Sequence, residues 1–179
     1  MDTNRRETAE NPLLYADEND RALGLTGMTI ALAVYNAGDM LARVSLDDAP
    51  GTGFVMSPEF DFGGNPRMSA RLVWQQLVHQ FEIESAILVG NAMCRMYVGQ
   101  RKRIPSRLDT MIRAMVRDHG HALCSLDDDE VDVIYEKIDR TLENVFLRER
   151  IHTLAHTFAD RLLSARTISG AEAIDILNR

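Results

Sequence analysis

Two histidines placed four residues apart, His152 and His156, are the side chains of this sequence best suited to metal chemistry. On a helix that spacing brings both imidazoles to one face, where they can bind a zinc ion, and Asp160 adds a carboxylate one turn further on. A catalytic zinc helix also needs a glutamate directly after the first histidine to activate the bound water, and Thr153 occupies that position. A metallohydrolase built here would need another carboxylate, such as Glu149.

The apolar residues around these histidines favour a different interpretation. They recur at helical spacing and predict the buried stripe of this helix: Ile151, Leu154, Phe158 and Leu162. His152, His156 and Asp160 then fall on a neighbouring face, which we expect to be solvated. On this interpretation the chain holds no metal and no other cofactor. The alternative is a zinc metallohydrolase or peptidase whose relocated site consists of His152, His156 and Asp160.

The other chemistry-bearing residues have ordinary structural explanations. His119 and His121 stand beside Gly120, a predicted helix end, where imidazoles interact favourably with the helix dipole. Cys94 and Cys124 are too few for a disulfide scaffold and lack metal-ligand spacing, so we expect two free thiols. The sequence contains neither a phosphate-binding glycine loop nor a nucleophile elbow.

The elements that must position these residues are mostly helices. Residues 1–21 are polar and predict a flexible arm, and residues 22–179 predict a single domain. A first helix is expected from Ala22 to about Gly38. The short runs "ARVSL" and "GFVM" are joined by the turn formers of "DDAPGT" and predict a hairpin. Helical periodicity then continues from Ser69 almost to the last residues. The predicted fold class is mainly α: a helical bundle with one small β-hairpin near the N-terminus.

Composition limits the function classes. The chain has 179 residues, of which 45% are hydrophobic, and a net charge of -7. That charge argues against nucleic acid, whose phosphates need a basic surface, and against an anionic membrane surface. No apolar run reaches the roughly 18 residues that span a bilayer, and no signal-peptide pattern is present. A cytoplasmic protein that binds neither nucleic acid nor membrane is therefore expected.

Four segments, taken in order, resemble the peptidase domain of the FtsH-type ATP-dependent zinc proteases. They are the hairpin and the loop after it, "ARVSLDDAPGTGFVMSPEF"; the helix end "VGNAMCRMYVG"; the helix "SRLDTMIRAMVRDHG"; and the terminus "TLAHTFADRLLSARTISGAEAIDIL". Together they cover about residues 22–177 in the order of the family. The resemblance implies the helical fold of that peptidase domain.

The same resemblance implies that the zinc site has been lost. The family's zinc helix, His-Glu-Ala-Gly-His, corresponds to "GLTGM", so the two histidine ligands correspond to Gly24 and Met28 and the catalytic glutamate to Leu25. Gly27 alone is retained, as a helix-packing glycine. The third ligand, an aspartate, corresponds to Arg107. Glycine, methionine and arginine cannot form such a zinc shell, and leucine cannot accept a proton from water. No catalytic residue is therefore expected.

The function implied is a catalytically inactive peptidase-like domain that acts through protein–protein contacts or regulates a protease. Because the relatives assemble into rings through this domain, self-association or a protein partner is expected. The acidic "DDDE" at residues 127–130 and the basic "RKR" at residues 101–103 are candidate complementary patches. A further alternative is a ligand-binding module that reuses the vacated cleft, with Arg107, Met28 and Gly27 as its binding residues.

Overall fold

The computed structural model describes residues 14–60 and 68–178. Its helices and strands follow in this order: α1 (Glu18–Val34), β1 (Leu41–Ser45), β2 (Phe54–Met56), α2 (Ala70–Met93), α3 (Ser106–Cys124), α4 (Asp128–Phe146), α5 (Glu149–Ala165), β3 (Thr167–Ser169) and α6 (Gly170–Leu177). Short 3-10 turns at Gly38–Met40 and Pro58–Phe60 flank the hairpin, and a π-helical turn, Cys94–Gly99, continues α2. The predicted class, mainly α with a small hairpin near the N-terminus, is confirmed.

Helix α1 begins inside the segment that the sequence predicts to be an arm. Asp17 is its N-cap and accepts a hydrogen bond from the backbone N–H of Asp20 at 2.8 Å, which satisfies one of the free donors of the first turn. The helix therefore begins at Glu18, four positions before the predicted Ala22. The part of the predicted arm at residues 1–13 lies outside the described residues.

The small sheet has three strands in the order β2-β1-β3, all antiparallel. The predicted hairpin supplies β1 and β2, in which Val44 pairs with Phe54. Strand β3, which the sequence predicts to be only a turn, lies on the other side of β1 and pairs Ile168 with Val44. Both Val44 and Ile168 are fully buried, so this sheet closes one end of the core.

Helices α1 and α2 approach each other closely through two glycines. A Cβ added to Gly27 would overlap the carbonyl oxygen of Gly90, and one added to Gly90 would lie 2.6 Å from the Cβ of Ala31. Only residues without side chains allow the two backbones to come this near. The packing role expected of Gly27 is thus fulfilled in this structure.

The hydrophobic core has two parts on either side of this crossing. One part lies among α2, α3 and α4, and its largest fully buried side chains include Phe81, Tyr135 and Phe146. The other part lies among α1, the sheet, α5 and α6, and includes Leu32, Phe158 and Ile168. Both parts share the α1–α2 pair as a wall, so the two helices form the centre of the domain.

The predicted end of α3 at Gly120 is wrong. The helix continues to Cys124 and ends where Ser125 adopts a left-handed conformation, with φ of 54°. Gly120 is instead buried, and a Cβ placed there would lie 2.6 Å from Val131 and 3.1 Å from the ring of Phe81. This glycine makes room for a neighbouring helix and does not cap its own.

Candidate functional site

The residues aligned with the family's zinc helix lie on α1, and the space beside them is occupied by the chain itself. Gly24 is buried, and a Cβ added to it would lie 2.7 Å from Cε1 of Tyr15 and 2.9 Å from the side-chain amide nitrogen of Asn91. That amide donates a hydrogen bond to the Tyr15 hydroxyl at 2.8 Å. A histidine at position 24 would therefore displace the Tyr15 ring.

An almost completely buried ion pair holds Tyr15 in this position. Arg95, in the π-helical turn, donates from Nε and Nη2 to the two carboxylate oxygens of Asp20 at 2.9 and 2.7 Å. Its Nη2 also donates to the carbonyl oxygen of Leu14 at 2.8 Å, and its guanidinium lies 4.9 Å from the centre of the Tyr15 ring. The side chains of Arg95 and Asp20 are only 8% and 14% exposed. A fork-shaped, nearly dry pair of this kind fixes geometry strongly.

The same buried charge affects the neighbouring thiol. Burial raises the pKa of Cys94, and the Asp20 carboxylate raises it further. Because a thiol reacts as the thiolate, Cys94 is an inert core residue under ordinary conditions. Cys124 is also a buried free thiol with a raised pKa, caused first by burial and then by Glu84.

The remaining aligned positions border little free space. Leu25 and Met28 line a cavity of about 30 Å³ together with Tyr15 and Phe54, which is the volume of a single water molecule. Arg107 is exposed in the first turn of α3. The next residue, Leu108, lines a separate cavity of about 250 Å³ beside Asp20 and Arg95. Met28 and Leu108 thus border two separate cavities, one lined by Tyr15 and the other by Arg95.

The histidine pair of α5 is placed differently from the prediction. His156 and Asp160 are exposed as expected, but His152 is buried, so the expectation of a solvated face is wrong for this residue. His152 Nε2 lies 2.6 Å from the carbonyl oxygen of Phe146, to which it donates, and its Nδ1 is buried without a hydrogen-bond partner among the described residues. Its imidazole satisfies a free carbonyl at the end of α4.

His152 is buried because the stripe of α5 that faces the core is shifted around the helix from the predicted one. The residues that face the core are His152, Ala155, Phe158, Ala159 and Leu162. The predicted members Ile151 and Leu154 are only partly buried and lie at the edge of the stripe. Among the described residues, no group of three histidine, cysteine or acidic side chains is arranged to hold a metal ion.

Two tyrosine–carboxylate pairs between α3, α4 and the π-helical turn were not anticipated from the sequence. Tyr135 donates to Asp109 at 2.7 Å, and Tyr97 donates to Glu143 at 2.6 Å. Asp139 lies on α4 between Tyr135 and Glu143 in sequence. Its pKa is raised first by burial and then by the negative charges of Asp109 and Glu143. The pairs tie three elements together.

The predicted helix-end histidines also take part in ion pairs. His119 Nε2 bonds the carboxylate of Glu84 on α2, and His121 Nε2 lies 2.9 Å from Asp128 at the start of α4. Each pair crosses between helices, so these residues join neighbouring elements and do not cap α3 alone.

An open groove of about 680 Å³ lies on the outer side of α5 and α6. We call it the α5–α6 groove. It is lined by Arg150, Thr153, Leu154, Thr157 and Arg161 of α5 and by Glu172 and Ile176 of α6. At Leu154 it adjoins a smaller apolar hollow of about 220 Å³, whose wall includes Ile30, Val34 and Leu177.

Comparison with known proteins finds no match for this chain: no family model, no curated protein and no solved structure is similar to it. The resemblance to the FtsH-type peptidase domain therefore stays a prediction. Within the described part of the chain, none of the helices combines the length and apolar content needed to cross a membrane.

Proposed function

We propose that this protein is a non-catalytic helical domain, similar to the FtsH-type peptidase domain but without its zinc chemistry, that acts by binding another protein chain. Its biological effect would be to recruit a partner or to regulate a protease.

The observation that carries this proposal is the packing around Gly24. In the register of the resemblance, the metal would need the space that the Tyr15 ring and the Asn91 amide occupy. Displacing Tyr15 would also break its contact with Arg95, whose pair with Asp20 is almost inaccessible to water. A nearly dry ion pair is strongly destabilised when its surroundings are opened or one partner is removed.

The surface of the domain supports the protein-binding part of the proposal. The α5–α6 groove is lined by apolar side chains such as Leu154 and Ile176, and no cluster of metal ligands is found there among the described residues. An apolar groove with a few charged residues at its rim is typical of sites that recognise a protein segment.

Metal analysis and a protease assay on the purified full chain test the absence of zinc chemistry. We expect no stoichiometric zinc after purification without chelators, and no cleavage of casein with added zinc and ATP. The His152→Ala, His156→Ala double variant is the matched control. Stoichiometric zinc and casein cleavage that are both lost in this variant would overturn the proposal in favour of the relocated metallohydrolase.

A further inference from the structure

We propose that the α5–α6 groove binds one amphipathic helix of a protein partner, and that an acidic side chain of that helix pairs with Arg150. This inference rests on the proposed function, because it names the partner chemistry and the surface through which a non-catalytic domain would act.

The floor of the α5–α6 groove is suited to apolar contacts with a ligand. The hydroxyl of Thr157 donates to the backbone carbonyl oxygen of Thr153 at 2.9 Å, and the hydroxyl of Thr153 donates to the backbone carbonyl oxygen of Glu149 at 3.4 Å. Both hydroxyls therefore bond within their own helix. Their polar groups therefore need nothing from a ligand. Leu154 and Ile176 add apolar surface, and Leu154 continues it into the hollow beside Val34 and Leu177.

The shape of the groove fits a helix of about three turns. Arg150 and Arg161, which stand at its two ends along α5, are eleven residues apart, and both line it. At the rise of an α-helix this separation corresponds to about 16 Å, which is the length of a partner helix with apolar residues at positions i, i+4, i+7 and i+11. Helix-in-groove recognition uses anchors at this spacing.

The two arginines differ in what they can offer to a partner. Arg161 donates from Nε and Nη2 to one oxygen of Glu172 at 2.9 and 2.6 Å, so it ties α6 to α5 across the groove. Arg150 makes no ion pair with any residue that the structure describes. Its sequence neighbour Glu149 pairs instead with Arg101, whose charge lowers the pKa of that carboxyl.

Charge complementarity therefore selects the occupant. Arg150, at the N-terminal end of α5, gives the groove a cation without an ion-pair partner among the residues that the structure describes, although the whole chain has a net charge of -7. The net negative charge of the chain would attract a basic helix, but inside the groove a basic residue would lie beside Arg150 as a like charge and leave it unmatched. An acidic residue near one end of an amphipathic helix would pair with Arg150 and fix the direction in which the helix lies.

A displayed library of 16-residue peptides in a fixed helical frame, randomised along one face, is the probe for this surface. We expect peptides enriched on the wild-type chain to carry apolar residues on one face and an acidic residue near one end. We expect them to bind with a dissociation constant of about 1–100 µM, as is common for single-helix ligands without prior optimisation.

Two groove variants and one control decide where such peptides bind. Arg150→Glu reverses the unpaired charge, and Thr157→Trp fills the floor; each changes an exposed helix position, so folding should be retained. We expect either change to weaken the enriched peptides at least tenfold. Arg140→Glu makes the same charge change at an exposed position of α4 outside the groove and should leave binding unchanged.

Several results would overturn the inference. One is a library that yields no enrichment; another is a set of peptides without an acidic residue that bind Arg150→Glu as tightly as wild type. Dimers that appear in sedimentation velocity and dissociate in Arg150→Glu would assign the groove to a second copy of the chain. A fluorescent sixteen-carbon fatty acid that binds in place of every peptide would assign it to a small amphiphile. None of these results depends on zinc content or casein cleavage, so failure here is distinguishable from failure of the proposed function.

Discussion

At the scale of single residues, Arg95 has the largest influence on the candidate site. It forms an ion pair with Asp20, its guanidinium lies over the Tyr15 ring, and it donates a hydrogen bond to the carbonyl oxygen of Leu14. The residue was present in the sequence as one charge inside the apolar run "AMCRMYVG". A buried arginine needs a carboxylate, but its partner lies 75 positions away, and no local pattern identifies it.

Removing this guanidinium should destabilise the fold. Arg95→Met retains the apolar stem but leaves the Asp20 carboxylate nearly buried and unpaired, and we expect a loss of about 3 kcal/mol in the free energy of unfolding, measured with urea. Arg101→Met is the control, because its pair with Glu149 is 56% and 77% exposed. The control should leave the free energy of unfolding almost unchanged, because exposed ion pairs contribute little. Equal losses in both variants would contradict the importance assigned to the buried pair.

A second residue-scale prediction concerns Asp139. Its pKa in the folded chain is raised, so the folded state holds this proton more tightly than the unfolded state. The stability linked to that proton is complete below the unfolded pKa of about 3.9 and is lost as pH rises through the folded pKa. Asp139→Asn should therefore unfold at higher urea concentration than wild type at neutral pH, with a difference that shrinks as the pH falls toward about 4.

Asp132 provides the opposite case on the same helix. Arg117 lowers the pKa of this carboxyl through a hydrogen bond and its charge, so the linked stability is present at neutral pH and lost on acidification. Asp132→Asn should unfold at lower urea concentration than wild type at neutral pH. If Asp139→Asn and Asp132→Asn shift the urea midpoint in the same direction at neutral pH, the opposite pKa shifts assigned to the two carboxyls are wrong.

At the scale of elements, the crossing of α1 and α2 determines the shape of the domain. Gly27 and Gly90 face each other at the closest point, and both helices extend from there into the two parts of the core. The sequence indicated Gly27 only as a residue retained from a family pattern. Its physical reason is the backbone of the other helix, which no periodicity within α1 can reveal.

Gly27→Ala tests this crossing. The added methyl would overlap the Gly90 carbonyl, and the helices must separate, so we expect a loss of about 2–3 kcal/mol despite the better helix propensity of alanine. Gly99→Ala is the matched control, because its nearest atom is the flexible end of Leu23 at 2.9 Å. Thermal unfolding followed by circular dichroism measures both; a Gly27→Ala variant as stable as Gly99→Ala would show that the crossing tolerates side chains.

At the scale of the whole molecule, the features predicted from sequence are those encoded locally. The fold class and the hairpin follow from periodicity and turn residues, and both are confirmed. The exposure of His152 was predicted wrongly because the buried stripe of α5 includes this residue, whose imidazole bonds the carbonyl oxygen of Phe146 on another helix. Strand β3 was missed because three residues are too few to show an alternating pattern. The filling of the space beside Gly24 depends on Tyr15, Asn91 and Arg95, which meet only in the folded chain.

The position of β3 has a consequence for the order in which the protein can fold. Ser45 and Thr167, whose side chains hydrogen-bond at 2.8 Å across β1 and β3, are 122 positions apart. A ribosome therefore releases α1 and the hairpin long before the strand that completes their sheet. Contacts of such high sequence separation are slow to form and leave early elements exposed. During synthesis α2 can cover one side of α1 early, but the β1 edge and the side of α1 that packs against α5 and α6 remain uncovered until those last described elements emerge.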